Sequence, residues 1–185
     1  GGRLTVGDTP RAEGIVDFFS ESMTRYVLIP SAATLRRDLV MDVGGFPEGM
    51  RMGEDQWLWT VLARRAAVAF TPQPLAVYSR TASNRSAAIF RPESTSHSLY
   101  ELYDPAAEAM SNEYIARVAL GKALVQSAGG DTAAAAEALR LFSCNRLSRR
   151  IALKVRVLNA LPRRVRPAVL SMYNRLAWLL TRKGL

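Results

Sequence analysis

Two carboxylates, Glu54 and Asp55, stand where a glycine-rich loop turns into a helix, in the stretch "DVGGFPEGMRMGEDQWLWTVLARR" (42–65). Acids in the first turn of a helix complement its macrodipole and stabilise it by about 0.3–1 kcal/mol. A carboxylate held rigidly beside an open loop can instead take a proton from an attacking hydroxyl. With an ordinary pKa of about 4 it is already ionised at pH 7, so its position matters more than its tuning. The spacing places Gly44, Gly45, Pro47 and Gly49 in the loop, since Gly tolerates positive φ and Pro pre-sets a turn. Trp57, Leu58, Val61 and Leu62 follow at i, i+1, i+4 and i+5 and predict a buried stripe behind the carboxylates.

Few other residues offer chemistry. His97 is the only histidine and lies in the polar stretch "ESTSHS", the setting of a solvated loop residue. Cys144 is the only cysteine, which leaves no partner for a disulfide within the chain and no Cys-based zinc site, and fits a reducing compartment. Arg80 and Arg85, on the polar loop "SRTASNRSA", could meet a phosphate or simply face water.

The charge is uneven. From Arg140 to Leu185 there are 12 Lys and Arg and no Asp or Glu, which leaves 13 cations against 16 acids in the rest of the chain. A basic end of this kind points to an anionic partner, a membrane surface or a nucleic acid, or else to a solvated helical face. Hydrophobic residues make up 49% of the 185, enough to fill a core, yet no apolar run reaches the ~18 residues of a transmembrane helix. The opening "GGRLTVGDTP" lacks an initiator Met and resembles neither a signal peptide nor a targeting segment, so the chain reads as a piece of a longer one.

These residues need elements to position them. Residues 1–24 are polar and turn-rich, with one amphipathic patch, "GIVDFF". "YVLI" (26–29) reads as a strand bounded by Pro30, "SAATL" as a possible second extended segment, and "RRDLVMDVG" as a short helix stopped by Gly44. A helix over 54–65 precedes two short strands, "AAVAF" (66–70) and "PLAVYS" (74–79). Beyond about residue 104 the pattern is helical. Two helices divide at Gly129-Gly130-Asp131, with Asp131 and Thr132 supplying an N-cap, and resemble a single tetratricopeptide-type hairpin. Two more, "SRRIALKVRVLNALP" and "PAVLSMYNRLAWLLTRK", divide at Pro162 and Pro167. The expectation is a mixed α/β unit over 1–104 and a basic, all-α appendage over 105–185.

Order and spacing over residues 26–86 resemble the C-terminal half of the catalytic domain of family 2 glycosyltransferases, which have the GT-A fold. The matching residues are Ser31-Ala32, Arg36-Arg37, Gly44-Gly45-Phe46, Glu54-Asp55, Trp59, Leu62-Ala63, and Pro74-Leu75 with Tyr78. There are departures. Trp57 stands where the family often has another acid, Val61 where it usually has Arg, and Thr81 where some members have a metal-binding His. The Gln-x-x-Arg-Trp motif of processive synthases is absent, which favours transfer of single sugars. The nucleotide-binding half with its Asp-x-Asp motif has no counterpart, and "VGDTP" offers one lone Asp.

The resemblance implies inverting transfer of a sugar from a nucleotide-diphosphate donor to a hydroxyl of a glycan or lipid-linked acceptor. Such bacterial enzymes build cell-envelope polysaccharides in the cytoplasm or at the inner face of the membrane. It implies a divalent cation, Mn or Mg, held mostly by residues outside this chain. Asp55 would be the general base, with Glu54 binding the acceptor or orienting the loop. Gly44, Gly45 and Gly53 would let a sugar approach the backbone, and Trp57 or Trp59 would stack on it, although Trp59 also fits the core. Arg80 and Arg85 would reach the diphosphate. The alternative is not an enzyme: a basic module over 145–183 that binds an anionic membrane or nucleic acid. Leu153, Val157, Leu161, Val165, Val169, Leu176, Leu179 and Leu180 interleave there with Arg, which suits a membrane surface. No recognition-helix motif, zinc ligand set or aromatic-studded basic sheet favours nucleic acid.

Overall fold

A computed structural model describes residues 13–24, 27–50, 53–73, 76–77, 98–107, 109–142 and 145–182. The chain divides into two compact units, Gly1–Asp104 and Pro105–Leu185, at the position where the composition turns helical. Each unit is described by itself.

In the N-terminal unit, β1 (Gly14–Val16) pairs antiparallel with β2 (Val68–Phe70), and Ile15 lies opposite Ala69. This two-stranded ribbon is the whole sheet among the described residues. Asp17 ends β1 and caps α1 (Phe18–Ser22), its Oδ1 accepting the Phe19 and Ser20 N–H groups at 3.1 and 3.2 Å. The Ser20 hydroxyl also donates to Asp17, and this bond, more than the two backbone bonds, holds the carboxyl below its ordinary pKa. Phe18 is buried at the base of α1.

The expected strand at "YVLI" does not form among the described residues. Val27–Ile29 have no partner strand, and Pro30–Ala32 make a 3₁₀ turn, the Ala32 N–H donating to Ile29 O at 3.0 Å. Pro30 lacks a backbone donor and pre-sets a turn, so the β-branched run before it cannot continue as a ladder. The extended reading of "SAATL" fails at its start for the same reason. The "PLAVYS" strand falls mostly outside the described residues, and Ala76 and Val77 are not in a ladder. The described residues are therefore mostly helical, with a smaller share of sheet than the α/β expectation.

Helix α2 (Arg37–Asp42) is preceded by Arg36, which pairs with Asp38. It stops at glycine. The Gly44 N–H donates to Met41 O at 3.1 Å and the Gly45 N–H to Val40 O at 2.9 Å, the paired bonds of a Schellman cap. The cap requires a left-handed residue, and Gly44 has φ 83°. After the loop comes α3 (Glu54–Ala63).

The C-terminal unit is built on α4 (Met110–Gly129), against which α5 (Thr132–Phe142) and α6 (Arg149–Ala160) pack, with α7 (Arg166–Arg182) completing it. Small residues line the contacts. Ala116, Ala119 and Ala123 recur on one face of α4 at no more than 1% exposure, and Ala135, Ala138 and Ala152 are likewise buried on α5 and α6, which pack on α4. Side chains this short let backbones approach closely, while Ile115, Leu120, Phe142, Val155 and Leu158 fill the space beside them. The α4–α5 turn follows its sequence signal. Gly130 (φ 98°) closes α4 through bonds from Gly130 N–H to Ser127 O and Asp131 N–H to Gln126 O, and Asp131 caps α5 at Ala134 N–H, 3.0 Å. Pro167 lies inside the first turn of α7 and opens that helix, where a missing N–H costs nothing.

Polar groups fasten the ends of these helices. Glu113 of α4 accepts the N–H groups of Arg146 and Leu147 at 2.8 and 3.1 Å, tying down the turn before α6. Arg166, 8% exposed, donates to Leu161 O (2.8 Å), Asn159 O (3.0 Å) and Ser127 O (3.4 Å). Those carbonyls end α6 and α4, so the buried guanidinium is neutralised by the negative poles of two helices.

Candidate functional site

Glu54 and Asp55 occupy the first two positions of α3, and both are half-buried. Gly53 precedes them in a left-handed conformation, and its carbonyl accepts the Trp57 N–H at 2.9 Å. Asp55 Oδ1 accepts the N–H of Gln56 at 2.7 Å and so satisfies one free donor of the helix start. Neither carboxylate has an ion-pair partner among the described residues. Both expected roles of the pair remain compatible with this geometry: one oxygen of Asp55 serves the helix end, and Oδ2 is uncommitted among the described residues.

The helix is anchored differently from the expected stripe. Leu58, Trp59 and Thr60 are buried, whereas Trp57, Val61 and Leu62 are only partly so. The reason is that neighbours touch α3 on more than one side. Phe46 packs edge-on against Trp59 with ring centroids 6.4 Å apart, which fastens the Gly44-Gly45-Phe46 turn to the helix. Trp57 is drawn the other way, its Nε1 donating to Glu101 Oε1 at 2.6 Å. At the far end of α3, Arg64 donates to Leu102 O at 2.8 Å. Burial lowers the Arg64 pKa, and Asp104 opposes the shift. A 3₁₀ turn, Leu99–Leu102, thus braces α3 at both ends. Thr60 is tolerated in the core because its hydroxyl donates back to Gln56 O at 2.7 Å.

The structure therefore brings Gly44, Gly45, Gly53, Glu54, Asp55 and Trp57 onto one loop–helix element. Trp59 is at 4% exposure and belongs to the core, and Trp57 has its indole N–H engaged by Glu101. A Cβ added at Gly44 or Gly45 would meet nothing within 4 Å among the described residues. Arg80, Arg85, Thr81, Tyr78, His97 and Cys144 lie outside the described residues. Glu101 and Arg64 were not anticipated. Both act on partners distant in the sequence, and no local pattern marks them.

No three His, Cys, Asp or Glu side chains converge among the described residues. No family model, curated protein or solved structure matches the chain.

Proposed function

We propose that the N-terminal unit is the acceptor-side part of an inverting glycosyltransferase of the family 2 type, with a GT-A architecture, and that Asp55 is its general base. The observation that carries the reading is the Glu54-Asp55 pair itself: two carboxylates without a cationic partner among the described residues, at the start of a helix that Phe46 ties to the glycine turn. The motif order from Ser31 to Tyr78 supplies the family.

In this reading an acceptor hydroxyl lies against Asp55 Oδ2. Its oxygen attacks C1 of the donor sugar from the face opposite the leaving group. The C1–O bond to the nucleoside diphosphate breaks as the new one forms, and the hydroxyl proton passes to Asp55. The nucleoside diphosphate departs with the bonding pair, and C1 inverts. Oδ1, held by the Gln56 N–H, fixes the carboxylate plane so that Oδ2 points consistently. Glu54 binds the acceptor, and the resemblance would assign the diphosphate to Arg80 and Arg85, which lie outside the described residues. A divalent cation would neutralise the diphosphate when bound.

The test is product analysis with the full gene product and a panel of nucleotide-diphosphate sugars. Release of nucleoside diphosphate, with an acceptor glycoside of inverted anomeric configuration by NMR, is expected. Release of nucleoside diphosphate with retained configuration, or no release from any common donor, defeats the reading.

A further inference from the structure

The C-terminal unit carries an apolar surface that its own fold leaves uncovered. On α6, Ala152, Val155 and Leu158 turn inward, while Leu153 (60% exposed) and Val157 (54%) face out one turn apart. Leading into and along α7, Val165, Val169, Met172 and Leu176 recur at spacings of four, three and four, a single stripe on a helix. Val165, Met172 and Leu176 are 43, 59 and 52% exposed.

The two rows adjoin. Lys154 of α6 donates to the Tyr173 hydroxyl, and its Nζ lies 4.3 Å from the centre of that ring. Val157 is three residues from Lys154, and Leu176 is three from Tyr173, so each is a surface neighbour of that contact on its own helix. The apolar rows therefore flank one junction and form one face.

Cations surround it. Arg149, Arg150 and Arg156 are exposed on α6, and Arg175 is exposed on α7 beside Leu176. None of them has an ion-pair partner among the described residues, and no acid occurs anywhere from Arg140 to Leu185. Few partners suit that combination. A second copy meeting this face with its own would bring the same exposed arginines, with no acid from residues 140–185 to offset them. A nucleic acid backbone would neutralise the arginines but offers little to five exposed apolar side chains. An anionic bilayer accepts both: apolar side chains enter the headgroup–acyl boundary while guanidinium groups stay with the phosphates.

We propose that the outer face of α6 and α7 docks on an anionic lipid surface through Leu153, Val157, Val165, Met172 and Leu176, with the flanking arginines on lipid phosphates. No helix among the described residues is long and apolar enough to cross a membrane. This proposal stands on the C-terminal unit alone and does not depend on sugar transfer by the other.

The experiment is co-sedimentation of the full chain with vesicles of phosphatidylcholine alone or with about 30 mol% phosphatidylglycerol. Binding to the anionic vesicles should be at least about tenfold tighter, and raising NaCl to about 0.5 M should release most of it, because screening then acts over a few ångströms. The triple variant Leu153→Ser, Met172→Ser, Leu176→Ser keeps every charge and changes only exposed positions. It should retain wild-type helicity by circular dichroism and lose about tenfold or more in vesicle affinity. The variant Arg149→Gln, Arg150→Gln, Arg156→Gln should lose a similar factor and become less sensitive to salt. Three results overturn the proposal: no preference for anionic vesicles; full vesicle binding by a folded serine variant, which would leave a purely electrostatic polyanion surface; or a chain dimeric at micromolar concentration that the serine variant makes monomeric, which would assign the face to a second copy.

Discussion

The two units solve opposite problems. In the N-terminal unit no described helix exceeds the ten residues of α3, and order comes from turn chemistry and side-chain ties: the Gly44 cap, Phe46 on Trp59, Trp57 on Glu101, Arg64 on Leu102. In the C-terminal unit α4 alone runs 20 residues, and buried alanines lie where α5 and α6 pack against it. The first arrangement leaves carboxylates half-exposed on a braced edge. The second hides a dense core and presents cations outside. Short helices are marginal by themselves, so a site on α3 depends on the contacts that brace it, whereas the four-helix unit depends on packing.

That contrast ranks the expected effects of substitution. The largest belongs to the packed unit. Leu120 is fully buried among alanines that cannot reach into a void, so Leu120→Ala should destabilise by about 2–5 kcal/mol. Thermal unfolding followed by circular dichroism reads it, and a loss below about 1 kcal/mol would mean that this core is loosely packed. Next is Arg166→Ala, which removes the shared donor of three carbonyls at the ends of α4 and α6, of which Ser127 O keeps the Gly130 N–H. The expected loss is about 2–3 kcal/mol, and Arg166→Lys should recover less than half, because one ammonium cannot span three acceptors.

Turn chemistry should show smaller losses. Gly44→Ala places a Cβ at φ 83° and should cost about 1–2 kcal/mol by strain, since that Cβ meets nothing within 4 Å among the described residues. Smallest is Asp17, the cap of α1. Its folded pKa is depressed, chiefly by the Ser20 hydroxyl, so its contribution is complete above the unfolded value of about 3.9 and is lost as pH falls through the folded value. Asp17→Ala should destabilise by about 1 kcal/mol at pH 7 and show no difference from the parent well below pH 3. A difference that persists in acid would assign the effect to packing instead of charge.

What could be read from the sequence follows the same division. Gly44, Gly130 and Asp131 announce their turns because a cap is a local device, complete within a few residues. Trp59 sits in the core beside Leu58 as apolar spacing suggests. The failures are long-range. β1 is three residues long, and its partner begins at Val68, so no alternation was there to detect. "YVLI" has a strand's composition but lacks a partner strand among the described residues. The bonds from Trp57 to Glu101 and from the Arg146 and Leu147 N–H groups to Glu113 join residues 44, 33 and 34 positions apart, and polar pairs at such distances leave no periodic trace. The stripe on α3 shifted for a related reason: the helix is held from more than one side, which a single-face template does not represent.

The role of Asp55 is the central claim, and one substitution separates catalysis from capping. Asp55→Asn keeps the shape, and its side-chain oxygen can still accept the Gln56 N–H, but it cannot take a proton from a hydroxyl. Measured on the full gene product, kcat for sugar transfer should fall by about 10²–10⁴-fold, the effect of a lost general base. Stability should change by less than about 1 kcal/mol, the worth of one charge at a helix start. Near-normal kcat together with a lowered Tm would show that Asp55 only caps α3, and would contradict the account.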